Sequence, residues 1–210
     1  MASSGIKLLT AALLTMAAAL TAMAQEMLRE GDLIFIVHWQ GNNITQVTAR
    51  DLPIDHVAIV HRIGGDGPLY AIEAIDPCVT LTPIDSLMRR TADDGDSWVA
   101  ARVQGIDAHA TTARALQYTG RPYDHLYLPD DKEIYCSELV QLACVDYTGM
   151  PIFETQPMSF HDSTGNITPY WTEFYRSRGL TVPEGEPGTN PATLYTHPRL
   201  TILTPLTPPK

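Results

Sequence analysis

The sequence is short of cysteine, short of basic charge, and has no long apolar run beyond its first segment. Three cysteines, Cys78, Cys136 and Cys144, stand in 210 residues. That excludes a disulfide framework, which needs more cysteines in a shorter chain. Lysine and arginine together number 14 against 24 acids, a formal charge of −10 with histidine neutral. The one basic doublet is Arg89-Arg90. Such a surface repels phosphate backbones and anionic lipid, which argues against nucleic acid and electrostatic membrane partners. There is no internal repeat, no low-complexity tract and no HExxH spacing, so the zincin arrangement is absent.

What is present begins with a leader pattern. Lys7 supplies a lone positive charge, Leu8 to Leu20 is apolar, and Ala22-Met23-Ala24 is a small-x-small cleavage signature. The apolar run is short for a membrane span and no stop-transfer segment follows. No cysteine sits at the cleavage point, so a lipid anchor is not indicated. The pattern predicts a signal peptide over 1–24 and a mature single domain over 25–210 without a membrane span; a retained N-terminal anchor is the alternative. Removal takes one base and no acid, so the formal charge moves from −10 to −11. The expected place is the periplasm or the cell exterior. An odd number of cysteines there leaves at least one thiol unpaired within the chain. Pairing of Cys78 with Cys144 is left open.

Leu33 to Val37 reads as a buried strand after Gly31-Asp32. Asp55 to Val60 and Leu69 to Ile75 are further strands, separated by the turn signal Gly64-Gly65-Asp66-Gly67-Pro68. Trp98 to Val103 is a fourth. A helix is expected from Asp107 to Thr119 with Gly120 as its stop, a second from Ser137 to about Tyr147, and a third over Tyr170 to Arg178. The tail beyond Thr181 reads as a wrapping loop, with Leu200 to Leu203 as an edge strand. Strands early and helices late argue for an α+β fold.

Cys136 lies where a helical apolar pattern takes over from Ile134-Tyr135. The first turn of a helix offers unpaired N–H groups and the positive end of the macrodipole, both of which favour a thiolate. The same N–H groups suit an oxyanion forming beside the sulfur. Cys144, two turns on, fits a buried core thiol, and Cys78 beside Pro77 reads as a loop residue.

A thiolate nucleophile needs a base and a group to fix that base's tautomer. His56 opens its strand, and Glu73 stands among apolar neighbours on the next. A hairpin turning about Gly64-Gly65 pairs His56 with Glu73 and Ala58 with Ala71, on one face, about 5 Å apart at Cβ. The small Ala58 and Ala71 then leave room for the start of the Cys136 helix. A one-residue slip would put His56 and Glu73 on opposite faces. The competing pattern is a metal site built from Asp55, His56, His61 and Glu73, which would leave the helix-start cysteine without a role.

Gly31-Asp32-Leu33-Ile34-Phe35, Asp55-His56-Val57-Ala58-Ile59-Val60, Ile72-Glu73-Ala74, Gly120-Arg121-Pro122-Tyr123-Asp124 and Ile134-Tyr135-Cys136-Ser137-Glu138-Leu139-Val140 stand in this order. Together they resemble the YiiX-like family of circularly permuted, papain-fold cysteine hydrolases of the NlpC type. The late Asn190-Pro191-Ala192 through Pro198-Arg199-Leu200 is similar too. The resemblance implies a permuted papain-like fold, an antiparallel sheet packed against helices with the nucleophile at a helix N-terminus. It also implies Cys136 as nucleophile, His56 as base and Glu73 as third residue, with Tyr123 near the thiol. Ser137 and Tyr135 join Tyr123 as candidates for substrate binding or oxyanion support.

The expected activity is a cysteine hydrolase that cleaves an amide through an acyl-enzyme, with no cofactor or metal required. Cell-wall peptides, including peptidoglycan fragments, are the first expected substrate, and a short N-acyl or lipid amide or ester the second. Acyl transfer on the same thiol and a non-catalytic binding module are the rival readings. The sequence does not fix the oligomeric state.

Overall fold

The computed structural model describes residues 27–48, 52–130, 132–204 and 206. The expected leader over 1–24 lies outside them. Among the described residues no helix is long and apolar enough to cross a membrane.

Six strands form one antiparallel sheet in the order β4-β3-β2-β1-β5-β8. They are β1 (Leu33–Val37), β2 (Ile54–Arg62), β3 (Leu69–Ile75), β4 (Cys78–Pro83), β5 (Ser97–Val103) and β8 (Leu200–Ile202). Two short strands, β6 (Gln156–Pro157) and β7 (Pro187–Gly188), pair separately. All five residues of β1 are buried. A central strand covered on both faces reads as a continuous apolar run, and Leu-Ile-Phe-Ile-Val is one.

Among the described residues there are five helices, α1 (Ile84–Asp93), α2 (Ala108–Leu116), α3 (Cys136–Ala143), α4 (Pro169–Arg176) and α5 (Pro191–Tyr195). Alternation along the strands sorts the core into two layers. Phe35, Val57, Ile59, Ile72 and Ala74 pack with Cys136, Leu139, Val140 and Ala143 of α3. Ile34, Ala58, Val60 and Ala71 pack instead with Ile84, Leu87 and Met88 of α1. The room beside Ala58 and Ala71 is therefore filled by α1, not by the Cys136 helix as expected. A third cluster of Phe160, Trp171 and Tyr175 holds α4 against Ile44, Val47, Leu126 and Tyr127.

The helix expected from Asp107 is capped by it, with Ala110 N donating to the Asp107 carboxylate at 3.0 Å. It ends at Leu116, before Gly120, whose φ of 83° is left-handed and stops it. The Cys136 helix is shorter than read, because Cys144 is already extended at its C-terminus. The stretch around Cys78 is a strand and not a loop. A two-residue turn at the cis Asp76–Pro77 bond brings Cys78 back opposite Ile75.

The β2–β3 register differs from expectation by two residues. Ile59 faces Ile72 and Val60 faces Ala71, so the six residues Ile63 to Pro68 make the loop. Both Gly64-Gly65 and Asp66-Gly67 lie within it, and the longer turn wins. Continued at this register, Glu73 stands opposite Ala58 and His56 opposite Ile75. An even shift leaves both side chains on the face they shared.

Candidate active site

Cys136 begins α3, with Tyr135 extended before it and the Tyr135 N–H donating to Glu138 Oε2 at 3.4 Å. Its thiol is nearly buried and donates to the Asp55 carbonyl at 3.9 Å. That carbonyl is available because β2 carries a bulge there. Ile36 pairs with His56 and Val37 with Ile54, which leaves Asp55 without a partner on β1. Bulges re-aim backbone next to functional sites, and this one turns Asp55 towards the sulfur.

His56 Nε2 and Glu73 Oε2 lie 2.8 Å apart, although the two residues are diagonal on the ladder and not directly opposite. Glu73 is fully buried, and Arg90 of α1 donates from Nη2 to its two oxygens at 2.8 and 3.1 Å. With Nε2 engaged by Glu73, Nδ1 is the ring nitrogen left for Cys136, which acts on the ring by hydrogen bond and charge. Burial works against a charged His56, but the hydrogen bonds and charges of Cys136 and Glu73 outweigh it and raise the imidazole to about 10. Burial would likewise raise Glu73, yet the bond and charge of His56, with Thr82 and Arg90 donating, hold it down at about 2.

The Tyr123 phenol is pushed well above its ordinary value by burial and by the neighbouring Cys136 charge, and it hydrogen-bonds Tyr127. It stays a neutral O–H donor across the working pH range. The Tyr135 hydroxyl accepts from Thr189 N at 3.0 Å, and the Ser137 hydroxyl accepts from Thr189 Oγ1 at 3.1 Å. Both side chains thus anchor the helix start to the 187–190 segment. What Ser137 still offers is its first-turn N–H.

Cys136 sits on the wall of a cleft of about 530 Å³, part of it open to solvent. Ile44, Val47, Tyr127, Met158, Phe160 and Trp171 make it mostly apolar and aromatic. On the other side of His56 a polar cleft holds His38, Asp55, Arg90, Asp94 and Asp96. Asp55 borders both. Its carboxyl is raised by burial, against the charge of His56 and a hydrogen bond from Asn42 at 2.5 Å.

The four residues weighed as metal ligands do not gather. His61 bonds Glu30 at 2.8 Å while His56 bonds Glu73. Among the described residues no group of three or more such side chains is placed to hold a metal. All three cysteines are free, so Cys78 and Cys144 are not paired. Thr82, Asn42, Thr189 and the aromatic wall of α4 were not found from the sequence. Arg90 was noted there only as half of a charged doublet.

Comparisons with known proteins bear on the family and the fold. The model of the family described as permuted papain-like amidase enzymes, YaeF/YiiX, C92 family, matches residues 27–204. The protein YiiX of Escherichia coli K12, described as uncharacterized, is 26% identical over 178 residues, covering 82% of this chain and 84% of that protein. The crystal structure of metalloprotein yiiX from Escherichia coli O157:H7 superposes with a TM-score of 0.66 at 24% identity, covering 84% of this chain and 96% of that one.

Proposed function

From the premise that this chain belongs to the permuted papain-like amidase family, and so is a cysteine hydrolase of the amidase kind, we propose that Cys136, His56 and Glu73 form its catalytic triad and that its substrates carry an apolar acyl group. The observation that carries the triad is the 2.8 Å bond from His56 to a buried Glu73, with the helix-start thiol acting on the same ring.

In this reading the Cys136 proton passes to His56 and the sulfur attacks the carbonyl carbon. The first-turn N–H groups of α3 donate to the oxyanion, joined by the Tyr123 hydroxyl once its proton turns away from Tyr127. The tetrahedral intermediate collapses as His56 gives its proton to the departing amine, leaving a thioester on Cys136. Water, deprotonated by His56, then releases the acid and the free thiol.

The lining of the cleft supports an N-acyl or lipid amide or ester over a cell-wall peptide. Six apolar and aromatic side chains gain from burying hydrocarbon, and polar groups such as Thr48, Asp55, Ser159 and Asn190 share the lining. The leader pattern supports an exported enzyme whose mature chain begins at Gln25.

Limiting iodoacetamide across pH 5 to 9, mapped by mass spectrometry on wild type and His56→Ala, tests the triad. Cys136 is expected to react first and to keep its advantage below pH 7 only when His56 is present. An ordinary rate at Cys136 overturns it. A ladder of N-acyl aminocoumarins from acetyl to decanoyl tests the substrate class. The reading expects kcat/KM to rise at least tenfold with chain length and a thioester adduct on Cys136; a flat ladder refutes the acyl part.

A further inference from the structure

We propose that Arg90 is a positioning residue of this active site, a fourth member that holds the Glu73 carboxylate ionised and fixes the oxygen it presents to His56. The proposal rests on the triad reading above. Arg90 lies in the last turn of α1, on the face of the sheet opposite the helix that carries Cys136. One guanidinium nitrogen reaches both Glu73 oxygens, and the nearer, Oε2, is the oxygen bonded to His56. The site is thus assembled from both sides of the sheet. Cys136 approaches from α3, His56 and Glu73 stand on β2 and β3, and Arg90 closes the line from α1.

A carboxylate taken wholly out of water is costly unless its lone pairs and charge are met. His56 meets Glu73 on one side. In acid His56 stays a cation, and the pair is lost when Glu73 takes up a proton. Arg90, always protonated, supplies a second cation that does not depend on the state of His56. Its side chain is 41% exposed while Glu73 is fully buried, so it brings the charge in from water and loses little hydration. Glu73 thus lies between two cations, the protonated His56 and Arg90. Thr82 of β4 adds an uncharged donor to Glu73. The other titratable groups around Arg90 are His38, Asp55, His56, Asp94 and Asp96, across the polar cleft. His38 is bonded to Asp96 at 2.7 Å, and Asp55 to Asn42. Neither acid shares the oxygens of Glu73.

The test is the pH profile of Cys136 alkylation in wild type, Arg90→Gln, Arg90→Lys and His56→Ala, each checked for folding by its thermal melt. Arg90→Gln is expected to react within about threefold of wild type at pH 8 and at least fivefold more slowly at pH 5. Arg90→Lys, which keeps a cation and a nitrogen donor, is expected to recover most of the loss. In a Glu73→Gln background, Arg90→Gln is expected to add less than twofold. A folded Arg90→Gln with the wild-type profile overturns the proposal, and so does an equal loss in Arg90→Lys or a full loss in the Glu73→Gln background. If Arg90→Gln does not fold, Arg90→Lys carries the test: at least half the wild-type rate at pH 5 supports it, and a tenfold loss overturns it. If wild type itself is no faster at pH 5 than His56→Ala, the triad reading fails and this proposal falls with it. If wild type is fast and Arg90→Gln matches it, only the role of Arg90 is lost.

Discussion

The His56 ring and the Glu73 carboxylate are joined at 2.8 Å, the carboxylate with no exposed surface and the ring with 16%. Each partner shifts the other. His56 stands near 10 against an ordinary 6.5, so its contribution to stability is complete below 6.5 and is lost as pH rises through 10. Glu73 stands near 2 against an ordinary 4.5, so its contribution is complete above 4.5 and is lost as pH falls through 2. The two windows overlap between 4.5 and 6.5, where the pair is fullest, although His56 owes its rise to Cys136 first and to Glu73 next.

Glu73→Gln removes the charge from that interaction. At pH 6 it should cost on the order of 3–5 kcal/mol, the range for breaking a buried pair while leaving one partner in place. The gap between wild type and variant should narrow as pH passes 10, where only the Arg90 bond to Glu73 remains. Urea unfolding at pH 6, 8 and 10.5 measures both. A gap that stays constant across that range contradicts the pairing.

Cys144 is wholly buried after the end of α3, and burial alone pushes its thiol up to about 12. It should stay unlabelled in the folded protein throughout pH 5 to 9 and react only in denaturant. Cys144→Ala should leave the alkylation of Cys136 within about twofold while costing roughly 1 kcal/mol for the lost sulfur. Peptide mapping before and after unfolding checks the first statement, and a denaturation curve the second.

The strand runs were legible because alternation and apolar runs are local properties. Leu33–Val37 and Leu69–Ile75 match their expected ranges. Register is not local. With Gly64-Gly65 and Asp66-Gly67 side by side, the sequence offers two turns, and packing over the whole hairpin chooses the longer. His56 and Glu73 still met because the error was even. The face they share was read correctly, but its covering helix was not. α1 follows Pro83 with no side-chain cap, and β4 is bracketed by Pro77 and Pro83, so both carried stop signals instead of start signals. Arg90 went unread for that reason. Its meaning depends on which helix lies over Ala58 and Ala71, a contact between distant segments.

Gly188 is held where no side chain fits. A Cβ there would collide with Met158 Sδ and stand 2.9 Å from the Tyr135 hydroxyl. Gly188→Ala should drive Met158 into the apolar cleft and loosen the bond from Thr189 N to Tyr135, at a cost of about 1–3 kcal/mol. The flexible thioether can yield, so the protein should still fold. The effect should appear in KM for long acyl substrates more than in kcat. Michaelis parameters across the acyl ladder check the split; an equal fall in kcat for short and long chains contradicts it.

Trp171 ties α4 to the rest of the molecule. It is 3% exposed, packs edge-on to Phe160 and Tyr127, and donates from Nε1 to the Asn43 carbonyl at 3.1 Å. Its cluster is separate from the two layers on the sheet. Trp171→Ala should therefore open the cleft wall without unfolding the sheet. Truncating a buried tryptophan costs about 3–5 kcal/mol, and here that loss should fall on local opening of the α4 region. Amide exchange should speed up over residues 158–182 and 42–48 while β1 and β2 keep their protection. The early alkylation of Cys136 should persist, because α3, His56 and Glu73 do not rest on α4. Uniform loss of protection across β1, β2 and α4 would instead mean that the aromatic wall is part of one cooperative core.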